Sequence, residues 1–174
     1  MRKLLFQNLF RSPLTVEAPT PSQQALAELG TRLDQAARKR LGRSLAIREV
    51  DAGSCNGCEL EIQALNNAFY DIERFGMRFV ASPRHADVLL VTGPVTNNMR
   101  EALERTYQAT PDPKWVVAVG DCGKDGGLFR GSYACVGGVA EVIPVDLHIS
   151  GCPPDPTQLL EGLLALLTVQ EPIA

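Results

Sequence analysis

Two cysteines stand two residues apart in the stretch Gly53-Ser54-Cys55-Asn56-Gly57-Cys58-Glu59-Leu60-Glu61. A Cys-x-x-Cys pair can hold a metal centre or close a small disulfide. The stretch follows an apparent β-strand and opens an apparent helix, where backbone N–H groups and the helix dipole favour thiolate. Gly53 and Gly57 leave room for the backbone to pass close to a bulky group. Cys122, Cys135 and Cys152 complete a set of five cysteines. An odd number in a chain read as intracellular speaks against a disulfide framework and for metal binding or redox chemistry.

The elements that must position these thiols follow from the hydrophobic pattern. Short apolar runs at Ala46–Val50, Met77–Ala81, Val88–Thr92, Trp115–Val119 and Val142–Ile149 read as strands. Helical spacing is found at Cys58–Arg74, Asn97–Gln108 and Pro156–Thr168. Strands alternating with helices predict an α/β fold, a parallel sheet covered on both faces. Before it, residues 22–41 predict a leading amphipathic helix through Leu26, Leu29, Leu33 and Ala37, weakened by Gly30. Asp155, Pro156 and Gln158 make a strong start for the last helix. Residues 1–21 read as a flexible arm, with Pro13, Pro19 and Pro21 discouraging regular structure, and residues 22–174 as one domain.

On that scaffold Cys55 and Cys58 follow the first strand, Cys122 follows the strand ending near Gly120, and Cys152 follows the strand ending near Ile149. All are carboxyl ends of strands. In an open parallel sheet those ends share one edge, and ligands bind in the crevice outside them. Four thiolates there suit zinc or an iron–sulfur cluster. Structural zinc usually takes two close cysteine pairs, and here only one exists. A 4Fe-4S cube accepts ligands from separate loops and N–H donors from a glycine-rich surround. Seven of the nineteen residues in Gly120–Gly138 are glycine. A thiol–disulfide oxidoreductase using Cys55 and Cys58 is the competing class, but it leaves the other cysteine loops unexplained. Phosphate binding fails its specific tests: no Gly-x-Gly-x-x-Gly follows the first strand, and Gly123-Lys124 is followed by Asp125.

Cys135, beside Tyr133 and Val136, reads as a buried inert thiol. Glu61 shares a helical stripe with Leu65, Ala68 and Ile72, so its carboxylate is expected on the apolar side. It is then either a satisfied buried group or a proton carrier with its pKa raised by burial. Glu59 lies off that stripe and is expected in solvent. His85 reads as a structural hydrogen-bonding residue, and His148 as a donor to the surroundings of Cys152. The formal net charge of −3 argues against a nucleic-acid protein. No apolar run reaches the length of a membrane span, and Gln7 and Asn8 interrupt the apolar start, so no signal peptide is read and a cytoplasmic protein is expected.

In combination, Gly53–Glu59, Gly120-Asp121-Cys122-Gly123 and Ser150-Gly151-Cys152-Pro153-Pro154 resemble the proximal-cluster motifs of NiFe hydrogenase small subunits. The stretch from Ser82 to Thr96 is also similar to that group. The nearer resemblance is to the energy-converting, formate hydrogenlyase type, related to the 20 kDa subunit of complex I. The resemblance implies a flavodoxin-like domain and one 4Fe-4S cluster held by Cys55, Cys58, Cys122 and Cys152. It implies an electron-transfer subunit of an oxidoreductase complex, not catalytic alone. The nickel-iron centre would sit in a large-subunit partner. Other iron–sulfur and membrane subunits would complete the complex at the cytoplasmic side of the inner membrane. Subunits of the complex I type carry adjacent cysteines where this chain has Cys55 and Cys58, which argues against a quinone-reducing subunit. Uptake hydrogenase small subunits carry an export signal and a second cluster domain; the expectation here is the short cytoplasmic form. By the same resemblance Glu61 matches a carboxylate near the subunit interface of complex I relatives.

Overall fold

The computed structural model describes residues 23–169. The expected arm, residues 1–21, lies outside them.

The first helix, α1 (Gln23–Leu41), buries Leu26, Leu33 and Ala37 and ends in a basic turn, Arg38-Lys39-Arg40. Cations there complement the helix dipole. Gly30 is not a weakness but a contact: a Cβ on it would stand 2.5 Å from the Phe75 ring. Gly42, at φ 68°, turns the chain out of the helix.

The next elements are β1 (Leu45–Asp51), α2 (Gly57–Ala64), β2 (Met77–Phe79) and β3 (Val88–Thr92). They are followed by β4 (Val95–Thr96), α3 (Asn97–Ala109), β5 (Trp115–Val119) and the short α4 (Gly120–Asp125). The chain then forms β6 (Cys135–Gly137), β7 (Leu147–Ile149) and α5 (Pro156–Val169). Five strands build one parallel sheet in the order β2-β1-β3-β5-β7, and β4 pairs antiparallel with β6 beside it. Counting the five alone, this is the 2-1-3-4-5 order of flavodoxin-like folds.

Period-two alternation divides each strand between two cores. Leu45 and Ile47, Val88 and Leu90, and Trp115, Val117 and Val119 join Leu33 of α1 and Leu159, Leu160 and Leu163 of α5 on one face. Leu89, Val91, Val116 and Ala118 join Leu103 of α3 and Val139 on the other. Burying each such side chain stabilises by about 1.5–3 kcal/mol, which is why central strands read as continuous apolar runs.

Three sequence expectations change. The helix after Cys58 stops at Ala64 rather than Arg74. There Asn67 Oδ1 accepts from the N–H groups of Phe69 (2.8 Å) and Tyr70 (3.0 Å), offering the backbone a turn in place of the helix. A 3₁₀ turn, Ile72–Phe75, follows. The last strand is Leu147–Ile149, not Val142–Ile149. Pro144 has no N–H to give a ladder, and Asp146 Oδ2 accepts the Val116 N–H at 2.7 Å before pairing begins. β2 ends at Phe79, two residues early. The glycine-rich segment is also more ordered than a loose loop: it contains α4, a 3₁₀ turn at Gly127–Phe129 and β6.

Candidate metal centre

β1, β5 and β7 deliver the cysteines. Past β1, Asp51 Oδ1 accepts from the N–H groups of Gly53 (2.7 Å) and Ser54 (2.8 Å). Ser54 Oγ accepts from Asn56 N at 3.0 Å. These bonds wind the chain into a tight turn that presents Cys55. Asn56 sits at φ 70°, and α2 then starts with Cys58 in its first turn. The turn lies against the end of β3: a Cβ on Gly93, at φ 76°, would stand 2.6 Å from Ser54 N. Cys122 rides on α4 directly after β5, and Cys152 follows β7. The last two loops are tied together, Asp121 N donating to Gly151 O at 2.9 Å and Gly151 N to Asp121 Oδ1 at 3.1 Å.

The result is a single cavity of about 70 Å³ lined by Cys55, Cys58, Cys122 and Cys152, with Ser54, Gly93, Gly151 and Pro153 among the rest of the wall. It lies at the carboxyl edge of the sheet, in the crevice where such folds bind ligands. All four predicted thiols thus meet. Cys135 is half-buried rather than buried, sits on β6 and does not line this cavity.

The residues present fit a sulfur-rich cluster. The donor set is four soft thiols. Glycine backbone reaches the sulfurs: a Cβ would stand 2.8 Å from Cys58 Sγ at Gly120, 2.8 Å from Cys122 Sγ at Gly127, and 3.5 Å from Cys55 Sγ at Gly57. Any side chain at the first two positions would fill the space the sulfurs use. Among the described residues no three His, Cys, Asp or Glu side chains close on a point that one metal ion would occupy.

Electrostatics corrects the expectation that the helix start favours thiolate. Burial first, and then the charges of Glu59, Cys122, Cys55 and Cys152, push the Cys58 thiol up to about 12. Burial also raises Cys122, opposed by a hydrogen bond from the Leu128 N–H. Four thiolates in one cavity repel, so they ionise together only when positive charge joins them.

The carboxylates exchange places relative to the sequence reading. Glu59 is buried, 6% exposed, and neither of its oxygens has a hydrogen-bond partner among the described residues. Glu61 is half-exposed, and Ala68 is exposed. The buried stripe runs Glu59 and Ile62 of α2 and Leu65 just after it, and the helix ends before Ala68. His85 is exposed on the 3₁₀ turn Pro83–His85. His148 lies beside the site: its Nε2 is 3.0 Å from Gly120 O and its Nδ1 3.5 Å from Ser150 Oγ. His148 was expected as a donor near the site, though not its acceptor Gly120, and the sequence reading gave no role to Asp121 or Gly93. Only an aspartate directly preceding a cysteine hinted at the first.

Similar proteins are consistent with this geometry. Formate hydrogenlyase subunit 7 of Escherichia coli (strain K12) is 47% identical over 133 residues, covering 76% of this chain and 52% of that protein. This chain therefore spans about half the length of that relative. A probable membrane-bound hydrogenase subunit of Pyrococcus furiosus is 48% identical over 74% of this chain and 77% of its own. A chain from the membrane-bound sulfane sulfur reductase, an archaeal respiratory membrane complex, superposes with a TM-score of 0.64 at 38% identity, over 78% of this chain and 73% of that one. A chain of an NAD+-reducing NiFe hydrogenase shares the fold, with a TM-score of 0.56 at 21% identity over 76% of this chain and 96% of that one. No helix among the described residues is long and apolar enough to cross a membrane. Residues 55–166, which include all four cavity cysteines, match the family described as NADH ubiquinone oxidoreductase, 20 Kd subunit, and the chain belongs to that family.

Proposed function

We propose that this chain is the electron-transfer small subunit of a NiFe-hydrogenase-type complex and holds one 4Fe-4S cluster through Cys55, Cys58, Cys122 and Cys152. The observation that carries the reading is one cavity lined by four cysteines from three separate strand ends. When bound, such a cluster takes up and releases single electrons. The chain's own residues do the rest. The four thiols give up their protons on binding. Gly57, Gly120 and Gly127 bring backbone against the sulfurs. Cys58 and Cys122, half-buried, keep water from one side. Cys55 and Cys152 are exposed, so that side is the one a partner covers.

The alternatives fit less well. Structural zinc usually takes two close cysteine pairs, whereas here Cys55 and Cys58 form the one close pair and Cys122 and Cys152 come from separate loops. A thiol–disulfide oxidoreductase uses only Cys55 and Cys58 and gives no role to Cys122 and Cys152, which line the same cavity. Exposed Leu60, Phe69, Leu128, Phe129 and Tyr133 suit burial against a large subunit holding the nickel-iron site. Further iron–sulfur and membrane subunits would anchor the assembly at the cytoplasmic side of the membrane, with Glu61 passing protons at the covered face. One observation supports a second reading for the partner. The sulfane sulfur reductase relative comes from a complex not named as a hydrogenase, so the same small-subunit fold also works beside other chemistry.

Anaerobic purification followed by iron and acid-labile sulfide assay tests the proposal. About four of each per chain is expected for a 4Fe-4S cluster. Cys152→Ala should lose the cluster and Cys135→Ala keep it. Stoichiometric zinc without iron rejects the reading. Nickel in the co-purified large subunit separates the hydrogenase from the second reading.

A further inference from the structure

His148 is the one imidazole that touches the ligand loops, and the proposed electron-transfer role does not use it. Its ring reaches two loops at once. Nε2 is 3.0 Å from the Gly120 carbonyl, two residues before Cys122. Nδ1 is 3.5 Å from Ser150 Oγ, two residues before Cys152. A carbonyl only accepts, so Nε2 carries the proton and Nδ1 is left to accept from the serine hydroxyl.

Gly120 is an unusual place to anchor. It is buried, at φ 78°, and a Cβ there would stand 2.8 Å from Cys58 Sγ and 3.2 Å from Gly151 O. Its backbone is therefore in close approach to a third ligand. Fixing the Gly120 carbonyl fixes the surface against which the Cys58 sulfur rests. The adjacent Asp121–Gly151 bonds tie the same two loops but do not reach Gly120.

We propose that His148 is a positioning residue whose Nε2–H bond to the Gly120 carbonyl locks the Cys122 and Cys152 loops in register and holds Gly120 against Cys58 Sγ. The role in cluster binding rests on the reading above; the lock itself does not. It joins protein groups alone, and it leaves Cys55, on the Asp51-bound turn after β1, outside its reach. The metal-binding set is thus three coupled thiols and one independent one.

The test compares His148→Leu, His148→Asn and His148→Gln in the full chain. Glutamine places an N–H donor near the position of Nε2, whereas asparagine is too short and leucine has none. In the cluster-free, reduced chain, iodoacetamide labelling is read by peptide mass at each cysteine. The lock predicts Cys58 labelling faster by roughly tenfold in the Leu and Asn variants, the worth of one lost hydrogen bond. Cys55 should be unchanged and the Gln variant near wild type. Thermal unfolding monitors the fold in parallel. After reconstitution with iron and sulfide, the Leu and Asn variants should show a shifted cluster EPR spectrum, restored in the Gln variant. Unchanged Cys58 labelling in all three variants overturns the proposal, as does equal acceleration at Cys55 and Cys58 in a folded chain. If the wild-type chain takes up no iron and sulfide, the electron-transfer reading fails, while the labelling still decides the lock.

Discussion

Single residues show where burial and charge disagree. Glu49, on β1, is raised from 4.5 to about 7, mainly by burial, then by the charges of Glu59 and Asp51, with Arg48 opposing. It lines a cavity of about 260 Å³ with Arg48 and Gln63. A carboxyl raised in the folded state binds its proton more tightly there than in the unfolded chain. Its contribution is whole below pH 4.5 and is lost as pH rises through about 7. Glu49→Gln, neutral at all pH, should therefore stabilise the protein above pH 7 relative to the parent and make little difference near pH 4.5. The gain is on the order of 1 kcal/mol once discounted for partial exposure. Urea midpoints at pH 5 and pH 8 measure it. A variant equally destabilised at both would show that Glu49 acts through lost contacts instead. The cysteines were the legible part of the residue scale, because thiols at strand ends need only topology to bring them together. The carboxylates were not. The helix faces the core with Glu59 and leaves Glu61 half-exposed, and it starts after Asn56 at φ 70° and stops at Ala64, bounds that periodicity did not reveal.

At the scale of elements, strands were read well because buried parallel strands are continuous apolar runs bounded by glycine. β3 and β5 fall on their expected residues. Ends set by side-chain competition were missed, as with Asn67 after α2 and Asp146 before β7. Gly30 in α1 shows the same limit in reverse. Propensity alone marks it as a defect worth about 1 kcal/mol against alanine. In the fold the Phe75 ring occupies the space a Cβ would need, at 2.5 Å. Overpacking of that kind costs about 1–3 kcal/mol. Gly30→Ala is thus expected to lower stability despite the better helix former, and Phe75→Leu should recover part of the loss. A rise in the unfolding midpoint for Gly30→Ala would mean that Phe75 moves aside without cost.

For the whole molecule, the exposed apolar side chains are where the proposed partner would be expected to dock. Leu60 lies on α2, while Leu128, Phe129 and Tyr133, the last 97% exposed, lie on the glycine-rich segment that carries Cys122. Exposed groups of this kind on elements bearing cavity thiols are what a covering subunit would bury. Leu128→Ser with Tyr133→Ser should weaken co-purification of the large subunit while leaving iron per chain unchanged. Hydrogen exchange in the assembled complex should slow over residues 126–134. Equal exchange in the free and assembled chain would put the partner elsewhere. In the same complex, residues 1–21 should gain protection if the arm meets other subunits, and Glu61→Gln should alter the pH dependence of turnover if that carboxylate passes protons. The architecture was foreseeable because alternation of strand and helix admits few topologies. The exposure of Leu128, Phe129 and Tyr133 was not foreseeable, since isolated apolar residues in a loop carry no periodic signal.

The spread of the cavity thiols along the chain also sets a timetable for synthesis. Cys55 and Cys58 leave the ribosome with β1, but Cys152 follows β7, and residues 59–151 must be translated between them. At ordinary elongation rates that interval is roughly 5–20 s. During it the early pair is an unfinished site: two thiols on a nascent strand with no β5 or β7 alongside to complete the wall. Iron offered then would meet a two-sulfur fragment, and oxidants would meet a Cys-x-x-Cys able to close on itself. On the proposed reading, a four-thiol site would be complete only after Cys152 and β7 have joined the sheet, and until then the early pair would lie open to oxidants.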